Sequence, residues 1–291
     1  MTENLFVSTA CFPDNTPLSK VLGEFEDSPF QNLELGSNHS HEKNYVELLK
    51  KYKFNYIVHN YFPIPEDNFV LNLATANDSI RKRSIEHGIT ALELSHDIGS
   101  ALYTVHPGFL VDPISANKDS SNYDFVFGET SGIDSLYEKS YEFMIQSLEI
   151  LIKRATELNV DLAIETEGSF NKHDILLMQK PEEFIQLFEH FKSEELKINL
   201  NMGHLNLAAK KFKFSRNKFC KLVSPYVSAI ELSHNEGVND DHAPITENGW
   251  YWELINKKEF IDKIKIFEFR DTGIDQIKKS LDIFKNKTRV N

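Results

Sequence analysis

Residues 227–242 read VSAIELSHNEGVNDDH, in which a short apolar run leads directly into a polar loop rich in Glu, Asp and His. Seven other runs of apolar, β-branched or aromatic residues occur along the chain, each followed by polar residues. They are LFVSTACF (5–12), NLELGSN (32–38), NYIVHNYF (55–62), ALYTVHPG (101–108), DLAIETEG (161–168), KINLNMGH (197–204) and IKIFEFRD (264–271). Short runs of this composition, bounded by polar residues, are typical of buried β-strands. The sequence therefore predicts eight strands.

Helical patterns separate most of these runs. The clearest lies at 134–158, where apolar residues recur at spacings of three and four and Asp134 occupies the expected N-cap position. A second pattern extends from Asn77 to about Gly99. A third opens at Pro181 with two glutamates in its first turn, which suits the positive end of a helix dipole.

Strand and helix thus alternate eight times, which indicates parallel strands joined by right-handed crossovers. The length of 291 residues fits one barrel of eight such units, which takes roughly 250 residues. An open doubly wound sheet is the alternative, but it would place a Gly-rich phosphate loop after an early strand. The first run leads into ACFPDNTP (10–17), which has no glycine. We therefore predict the α/β class, with residues 1–291 forming a single (β/α)8 TIM barrel.

Composition narrows the possible functions. The net charge of −12 argues against nucleic-acid binding, which usually relies on a basic face. Cys11 and Cys220 are too few for a disulfide framework. No apolar stretch approaches the roughly 18 residues of a membrane span, and the N-terminus lacks the features of a secretory signal. We expect a cytoplasmic protein with no membrane partner.

Residues that carry chemistry are concentrated at the C-terminal ends of the predicted strands, where the active sites of such barrels lie. They are His59, His106, Glu165, Glu167, Asn201, His204, Glu231, His234, Asp240, His242, Glu268 and Arg270. The first two strands offer little of this kind. Carboxylates that share a barrel mouth repel one another and need protons or a cation. Mixed His and carboxylate ligands favour a divalent metal, with Mn, Co and Zn as the candidates.

In these strand-end residues the sequence resembles the xylose isomerase-like barrel superfamily, which includes endonuclease IV and many sugar or sugar-phosphate isomerases and epimerases. The resemblance covers nearly the whole chain. The motifs that carry it are, in order, VHPG (105–108), IETEG (164–168), LNMGH (200–204), ELSHNEGVNDDHAPI (231–245) and FEF (267–269). Together they indicate the superfamily but no particular reaction.

The resemblance implies a metal-ligand set in this chain. The endonuclease IV-like set falls on His59, His106, Glu165, Asn201, His204, Glu231, Asp240, His242 and Glu268. Asn201 stands where that family has Asp, and Glu231 where it has His. The epimerase-like branch uses a smaller set, here Glu165, Asn201, Glu231 and Glu268, which contains both departures. His234 is a candidate replacement for the lost imidazole.

The resemblance also implies a function: a metal-dependent isomerase or epimerase that acts on a sugar or sugar derivative. One of Glu165 and Glu268 takes a substrate proton and the other returns it. The expected substrate-binding residues are His204, His234, Arg270, Trp250 and Glu167. The aromatic face of Trp250 suits the apolar face of a sugar.

Other interpretations stay open. An endonuclease IV-like phosphodiester hydrolase would explain why the histidines and Asp240 persist, and a catalytically degenerate ligand-binding barrel would explain the two departures. Individually, the histidines can be buried structural residues, the glutamates can form structural ion pairs, and Trp250 can belong to the core. The long strand-end loops 110–133 and 237–257 are possible lids, and a dimer arm or a homodimer contact is a further expectation.

Overall fold

Eight parallel strands form a closed barrel in a computed structural model that describes residues 4–116, 125–128, 132–169 and 174–288. Each strand pairs with its neighbours in sequence, and the first pairs with the last. The strands are β1 Leu5–Ser8, β2 Asn32–Leu35, β3 Asn55–His59, β4 Leu102–Val105, β5 Asp161–Glu165, β6 Leu196–Asn201, β7 Val227–Leu232 and β8 Ile264–Phe267. The predicted (β/α)8 barrel is confirmed.

Helices follow the strands around the outside of the barrel. They are α1 Leu18–Glu26, α2 Tyr45–Lys51, α3 Asp78–Asp97, α4 Ile133–Leu158, α5 Pro181–His190, α6 Met202–Phe212, α7 Arg216–Val223, α8 Trp252–Ile255 and α9 Ile274–Lys287. A 3-10 turn, Thr9–Cys11, follows β1. None of the helices in the described ranges is long and apolar enough to cross a membrane.

The predicted helix starts are nearly right. Asn77 caps α3 by accepting hydrogen bonds from two backbone amides, and Pro181 is the first residue of α5. The prediction for α4 was wrong by two residues, because Gly132 takes the N-cap position in a left-handed conformation. Asp134 lies inside the first turn instead, where its charge still complements the helix dipole.

Both loops that we considered as lids contain regular structure in their described parts. Within 110–133, Ser115–Ala116 pairs antiparallel with Phe125–Val126; residues 117–124 and 129–131 lie outside the described residues. Within 237–257 lies the short helix α8. A lid role for either loop stays a prediction.

The inward side chains of the strands form two layers. An apolar cluster toward the N-terminal ends consists of Ile57, Leu102, Ala163, Ala229 and Ile266. Side chains on a strand alternate between its faces, so the inward position two residues later faces the same interior. Those positions are His59, Thr104, Glu165, Glu231 and Glu268. The fold therefore places a polar layer directly on an apolar floor.

Candidate active site

Glu165, at the end of β5, is the hub of the polar layer and is only 1% exposed. Its carboxylate lies 3.5 Å from Nε2 of His106 and 3.2 Å from Nδ1 of His204. It also accepts a hydrogen bond from the side-chain amide of Asn201 at 3.0 Å, and Nδ1 of His59 is 3.9 Å away. Side chains at the ends of three other strands thus converge on one buried carboxylate.

A second chain of contacts runs along the loop after β7. Oδ2 of Asp240 lies 3.1 Å from Nε2 of His242 and 3.5 Å from Nε2 of His204. The other ring nitrogen of His242 is 3.2 Å from Oε2 of Glu268. The backbone amide of Arg270 donates to the carbonyl of His242 at 2.9 Å, which ties this loop to the end of β8. The loop therefore closes the cluster between Glu165 and Glu268.

Glu231, on β7, has no exposed surface. One carboxylate oxygen accepts a hydrogen bond from Asn199 and the other accepts one from Asn201 at 2.7 Å. Nδ1 of His59 lies 3.8 Å from the first of these oxygens. Asn201 uses its side-chain oxygen elsewhere, because that oxygen accepts from the backbone amide of His204 and caps α6.

The expectation that the first two strands contribute little was wrong, because Glu34 on β2 faces the same interior. It is completely buried, and neither carboxylate oxygen has a hydrogen-bond partner with normal geometry, although the Ser8 hydroxyl lies nearby. Glu268 and Glu165 are among the charges that act on it. The available signal was a glutamate in the middle of the apolar run NLELG, where a solvated charge would not be placed.

The pKa shifts divide the carboxylates into two kinds. Burial alone would raise the pKa of Glu165, but the positive charges of His106 and His204 lower it below the usual range. Burial would also raise the pKa of Glu268, but the positive charge of His242 lowers it. For Glu34 and Glu231, burial and neighbouring carboxylates both raise the pKa. The pKa values of Glu165 and Glu268 are thus lowered, whereas those of Glu34 and Glu231 are raised.

The histidine pKa values complement these shifts. Burial would lower the pKa of His106, but Glu165 and Glu167 raise it to about 9. Burial is similarly overcome at His242, where Asp240 and Glu268 raise the pKa to about 10. The pKa of His204 is also raised, against burial, chiefly by Asp240. Among the four described histidines of this cluster with a shifted pKa, His59 is the one at which burial dominates, and its pKa is lowered.

Three groups in this cluster have ligand atoms close enough to share a cation. In each, the atoms lie within 4.8 Å of one another, and the groups are His59–His106–Glu165, His204–Asp240–His242 and Glu34–His59–Glu231. One oxygen of Asp240 and both of Glu34 are buried and have no hydrogen-bond partner of normal geometry within the part of the chain that the structure describes. Imidazole and carboxylate donors with unfilled lone pairs fit a divalent cation of the Mn, Co or Zn type.

Two further predicted site residues, Glu167 and Arg270, contact residues of this cluster. Glu167 is 2.5 Å from Nδ1 of His106 and 3.8 Å from Nδ1 of His204. The guanidinium of Arg270 donates to the carbonyl of Asp240 at 3.2 Å. Glu167 can therefore orient the ring of His106, and Arg270 can hold the loop after β7 in place.

The side chains of His234 and Trp250 contact residues outside the cluster. Nε2 of His234 is 3.2 Å from the exposed carboxylate of Glu236, and its ring packs edge-on against Tyr251. The ring of Trp250 lies 4.1 Å from the guanidinium of Arg216 and also contacts Tyr251. These contacts give no support to His234 as a replacement imidazole or to Trp250 as a sugar wall, and both roles stay predictions.

Comparison with known proteins matches this architecture. An uncharacterized protein of Methanocaldococcus jannaschii is 27% identical over 291 residues, covering 98% of this chain and 99% of the relative. A solved D-tagatose 3-epimerase-like protein superposes with a TM-score of 0.71 at 21% identity, covering 98% of this chain and 96% of that one. Endonuclease IV from Thermus thermophilus superposes with a TM-score of 0.59 at 13% identity, covering 98% of each chain.

At these identities the two solved structures support the fold alone. The family assignment comes from a family model described as xylose isomerase-like TIM barrel, which matches residues 25–287. That range contains the described site residues from Glu34 to Glu268. The chain therefore belongs to the xylose isomerase-like TIM barrel family.

Proposed function

We propose that this protein is a metal-dependent isomerase or epimerase of a sugar or sugar derivative. The observation that carries the proposal is the pair Glu165 and Glu268, which lie three strands apart around one barrel mouth. Both have a lowered pKa and distinct histidine partners. An isomerase needs one base to remove a carbon-bound proton and a second group to return it, and two separated carboxylates meet that need.

When bound, a divalent cation would supply Lewis acidity, which makes the C–H bond beside a substrate carbonyl more acidic. His59, His106 and Glu165 would hold it, or the Asp240 group with His204 and His242. The buried apolar floor limits access of water, which strengthens every charge interaction in the layer.

The protein groups then handle the proton. Glu165 takes it at one face of the substrate. Glu268, whose pKa is lowered, returns at the other face a proton that it first accepts from the protonated His242. His242, which contacts Glu268 at 3.2 Å, orients that carboxylate. His204 is held by a contact of its Nδ1 with the carbonyl of Thr166 at 2.9 Å. Its Nε2, which lies 3.5 Å from Oδ2 of Asp240, is the ring atom that would contact a substrate oxygen.

The experiment is solvent exchange. Protein loaded with Mn²⁺, Co²⁺ or Zn²⁺ is incubated with a panel of ketoses and aldoses in D₂O, and substrate deuteration is followed by mass spectrometry. We expect deuterium at the carbon next to the carbonyl of at least one sugar, and none without metal. Absence of exchange across the panel, with strand scission at abasic sites in DNA, would replace the proposal by phosphodiester hydrolysis.

One observation favours that second candidate. The two histidine-rich groups His59–His106–Glu165 and His204–Asp240–His242 both persist, although a single-cation isomerase needs only one of them. Two or three cations bridged by carboxylates are suited to in-line displacement at phosphorus. The acidic net charge of −12 argues against a nucleic-acid substrate and leaves smaller phosphodiesters as the alternative.

A further inference from the structure

Relying on the proposed function only for the presence of a divalent cation, we propose that Glu34, His59 and Glu231 form a cation site in the barrel interior. Glu34 is on β2, a strand outside the ligand set that the family resemblance implies. Ligand atoms of the three residues lie within 4.8 Å of one another. Glu34 and Glu231 have no exposed surface, and His59 is 3% exposed.

The buried carboxylate oxygens of Glu34 are the independent evidence for a bound ligand. Both of its carboxylate oxygens are buried and have no hydrogen-bond partner of normal geometry among the described residues, although the Ser8 hydroxyl lies nearby. Buried polar atoms in folded proteins nearly always have a hydrogen-bond or ligand partner. Two such oxygens on one side chain therefore indicate a bound species that interacts with them. Because one of these oxygens lies within 4.8 Å of a ligand atom of His59 and of Glu231, we place the partner among all three residues.

The carboxylate of Glu231 is also oriented so that it can bind a cation. Asn199 and Asn201 each donate an amide hydrogen to a different oxygen of Glu231. Hydrogen bonds from amides favour the ionised carboxylate and hold its plane. Each oxygen keeps a further lone pair, since a carboxylate can accept about four hydrogen bonds or ligands in total. The amides therefore fix Glu231 without consuming its capacity for a cation.

His59 connects this site to the outer group His59–His106–Glu165, because it belongs to both. Its Nδ1 is 2.8 Å from the hydroxyl of Thr104, which orients the ring. A neutral imidazole offers one lone pair, so His59 ligates only one cation at a time. The two groups are thus alternative positions of one cation, and the His204–Asp240–His242 group takes another.

The charge of the ligands favours the inner group, Glu34–His59–Glu231, over the outer group, His59–His106–Glu165. The inner group has two carboxylates and one imidazole, whereas the outer group has one carboxylate and two imidazoles. A divalent cation in the inner position neutralises both buried carboxylates, which would otherwise repel each other. An oxygen-rich set also suits Mn²⁺ better than a nitrogen-rich set does. Mn²⁺ is therefore the probe of choice.

The test counts Mn²⁺ ions bound per chain by electron paramagnetic resonance after equilibrium dialysis. We expect His106→Gln, which disables the outer group, to bind as many Mn²⁺ ions as wild type. Adding Glu34→Gln should remove one equivalent, whereas adding the exposed control Glu24→Gln should remove none. Gln has nearly the shape of a protonated Glu, so a site that holds only a proton would tolerate the change.

Three results would overturn the site: loss of an equivalent in His106→Gln alone, no loss on adding Glu34→Gln, or no Mn²⁺ bound by wild type. If the double variant does not fold, anomalous diffraction from wild-type crystals grown with Mn²⁺ decides, and a peak among Glu34, His59 and Glu231 is required. The Mn²⁺ count is independent of turnover. Loss of the equivalent without any sugar exchange would overturn only the isomerase proposal, and exchange with an unchanged count would overturn only this site.

Discussion

The side-chain amide of Asn201 donates to Glu231 at 2.7 Å and to Glu165 at 3.0 Å. In the barrels that this sequence resembles, the two equivalent positions hold Asp and His. The carboxylate has thus moved from β6 to β7, and a neutral donor stands where the charge was. The formal charge of the four-residue ligand set is the same in both arrangements. We infer that the two departures are one coupled exchange rather than two independent losses.

Coupling predicts the outcome of a double-mutant cycle. Asn201→Asp alone places two carboxylates in contact in a buried layer and should lower the free energy of unfolding by about 3 kcal/mol. Glu231→His alone removes one of the two acceptors of the Asn201 amide, together with an acceptor of the Asn199 amide, and should cost about 2 kcal/mol. The double variant restores an acid–imidazole pair, so its loss should be smaller than the sum by about 1 to 3 kcal/mol.

Urea denaturation of the four metal-free proteins at one pH measures this cycle. Asn199→Asp combined with Glu231→His is the matched control, because Asn199 also contacts Glu231 but stands at no family ligand position. Strict additivity of Asn201→Asp and Glu231→His would show that the two departures arose without compensation.

The second prediction concerns the proton-transfer pair. Glu268→Gln and Glu165→Gln should each reduce substrate deuteration by at least about 100-fold, the usual contribution of a positioned acid or base. Glu165→Gln should also lower the melting temperature of the metal-free protein, because the charge that His106 and His204 share is removed. Glu268, whose side chain is 14% exposed and contacts one histidine, should give a smaller change.

The control for both is Glu24→Gln on the exposed face of α1, which should leave deuteration unchanged. Rates are compared at saturating Mn²⁺ so that weakened metal binding is not mistaken for lost proton transfer. Retention of wild-type exchange in either variant would remove that residue from the mechanism.

The barrel and most of its rim could be predicted from the sequence for a simple physical reason. Buried parallel strands read as apolar runs, and the polar residues that end them are brought to one edge by the topology. His59, His106, Glu165 and Glu268 were identified in this way, and the structure brings them together.

What could not be predicted depends on the direction of side chains. Glu34 lies inside an apolar run, where the neighbouring residues give no sign that its side chain points inward. The amide group of Asn201 was considered as a ligand, but helix capping draws its oxygen to His204 and turns its nitrogen to the carboxylates. His234 is three residues from Glu231, yet its recorded partners are Glu236 and Tyr251.

A third prediction follows from the raised histidine pKa values. The pKa of His106 rises to about 9 and that of His242 to about 10, from an ordinary value of 6.5. Groups whose pKa is raised on folding stabilise the folded state fully below their unfolded pKa and lose this effect as pH rises through the folded value. The raised pKa values of Glu34 and Glu231 act in the same direction.

The free energy of unfolding of the metal-free protein should therefore fall steadily from about pH 6.5 to pH 10. Excess Mn²⁺ should weaken or reverse this fall, because ligands must lose their protons to bind a metal and affinity then increases with pH. Urea titrations at intervals of one pH unit, with EDTA or with Mn²⁺, provide the measurement. A stability of the EDTA-treated protein that is flat or rising over this range contradicts the protonation states assigned to the cluster.

The last prediction concerns Gly168, which follows Glu167 and closes the IETEG motif. A Cβ atom at this position would lie 2.0 Å from the backbone carbonyl oxygen of His204, so the first turn of α6 can approach only a glycine. Gly168→Ala should lower the free energy of unfolding by about 3 kcal/mol, at the upper end of overpacking effects. Because α6 must shift, His204 should also lose its contacts with Glu165 and with the carbonyl of Thr166.

Gly273→Ala is the matched control, since nothing lies within 4 Å of a Cβ there and its backbone is extended. Urea unfolding and the Mn²⁺ count are measured for both variants. We expect Gly168→Ala to lose stability together with the cation held by His204, Asp240 and His242, whereas Gly273→Ala keeps both. Wild-type stability in Gly168→Ala would mean that α6 relaxes away from β5 without strain, and the close approach would then have no role in holding His204 over the site.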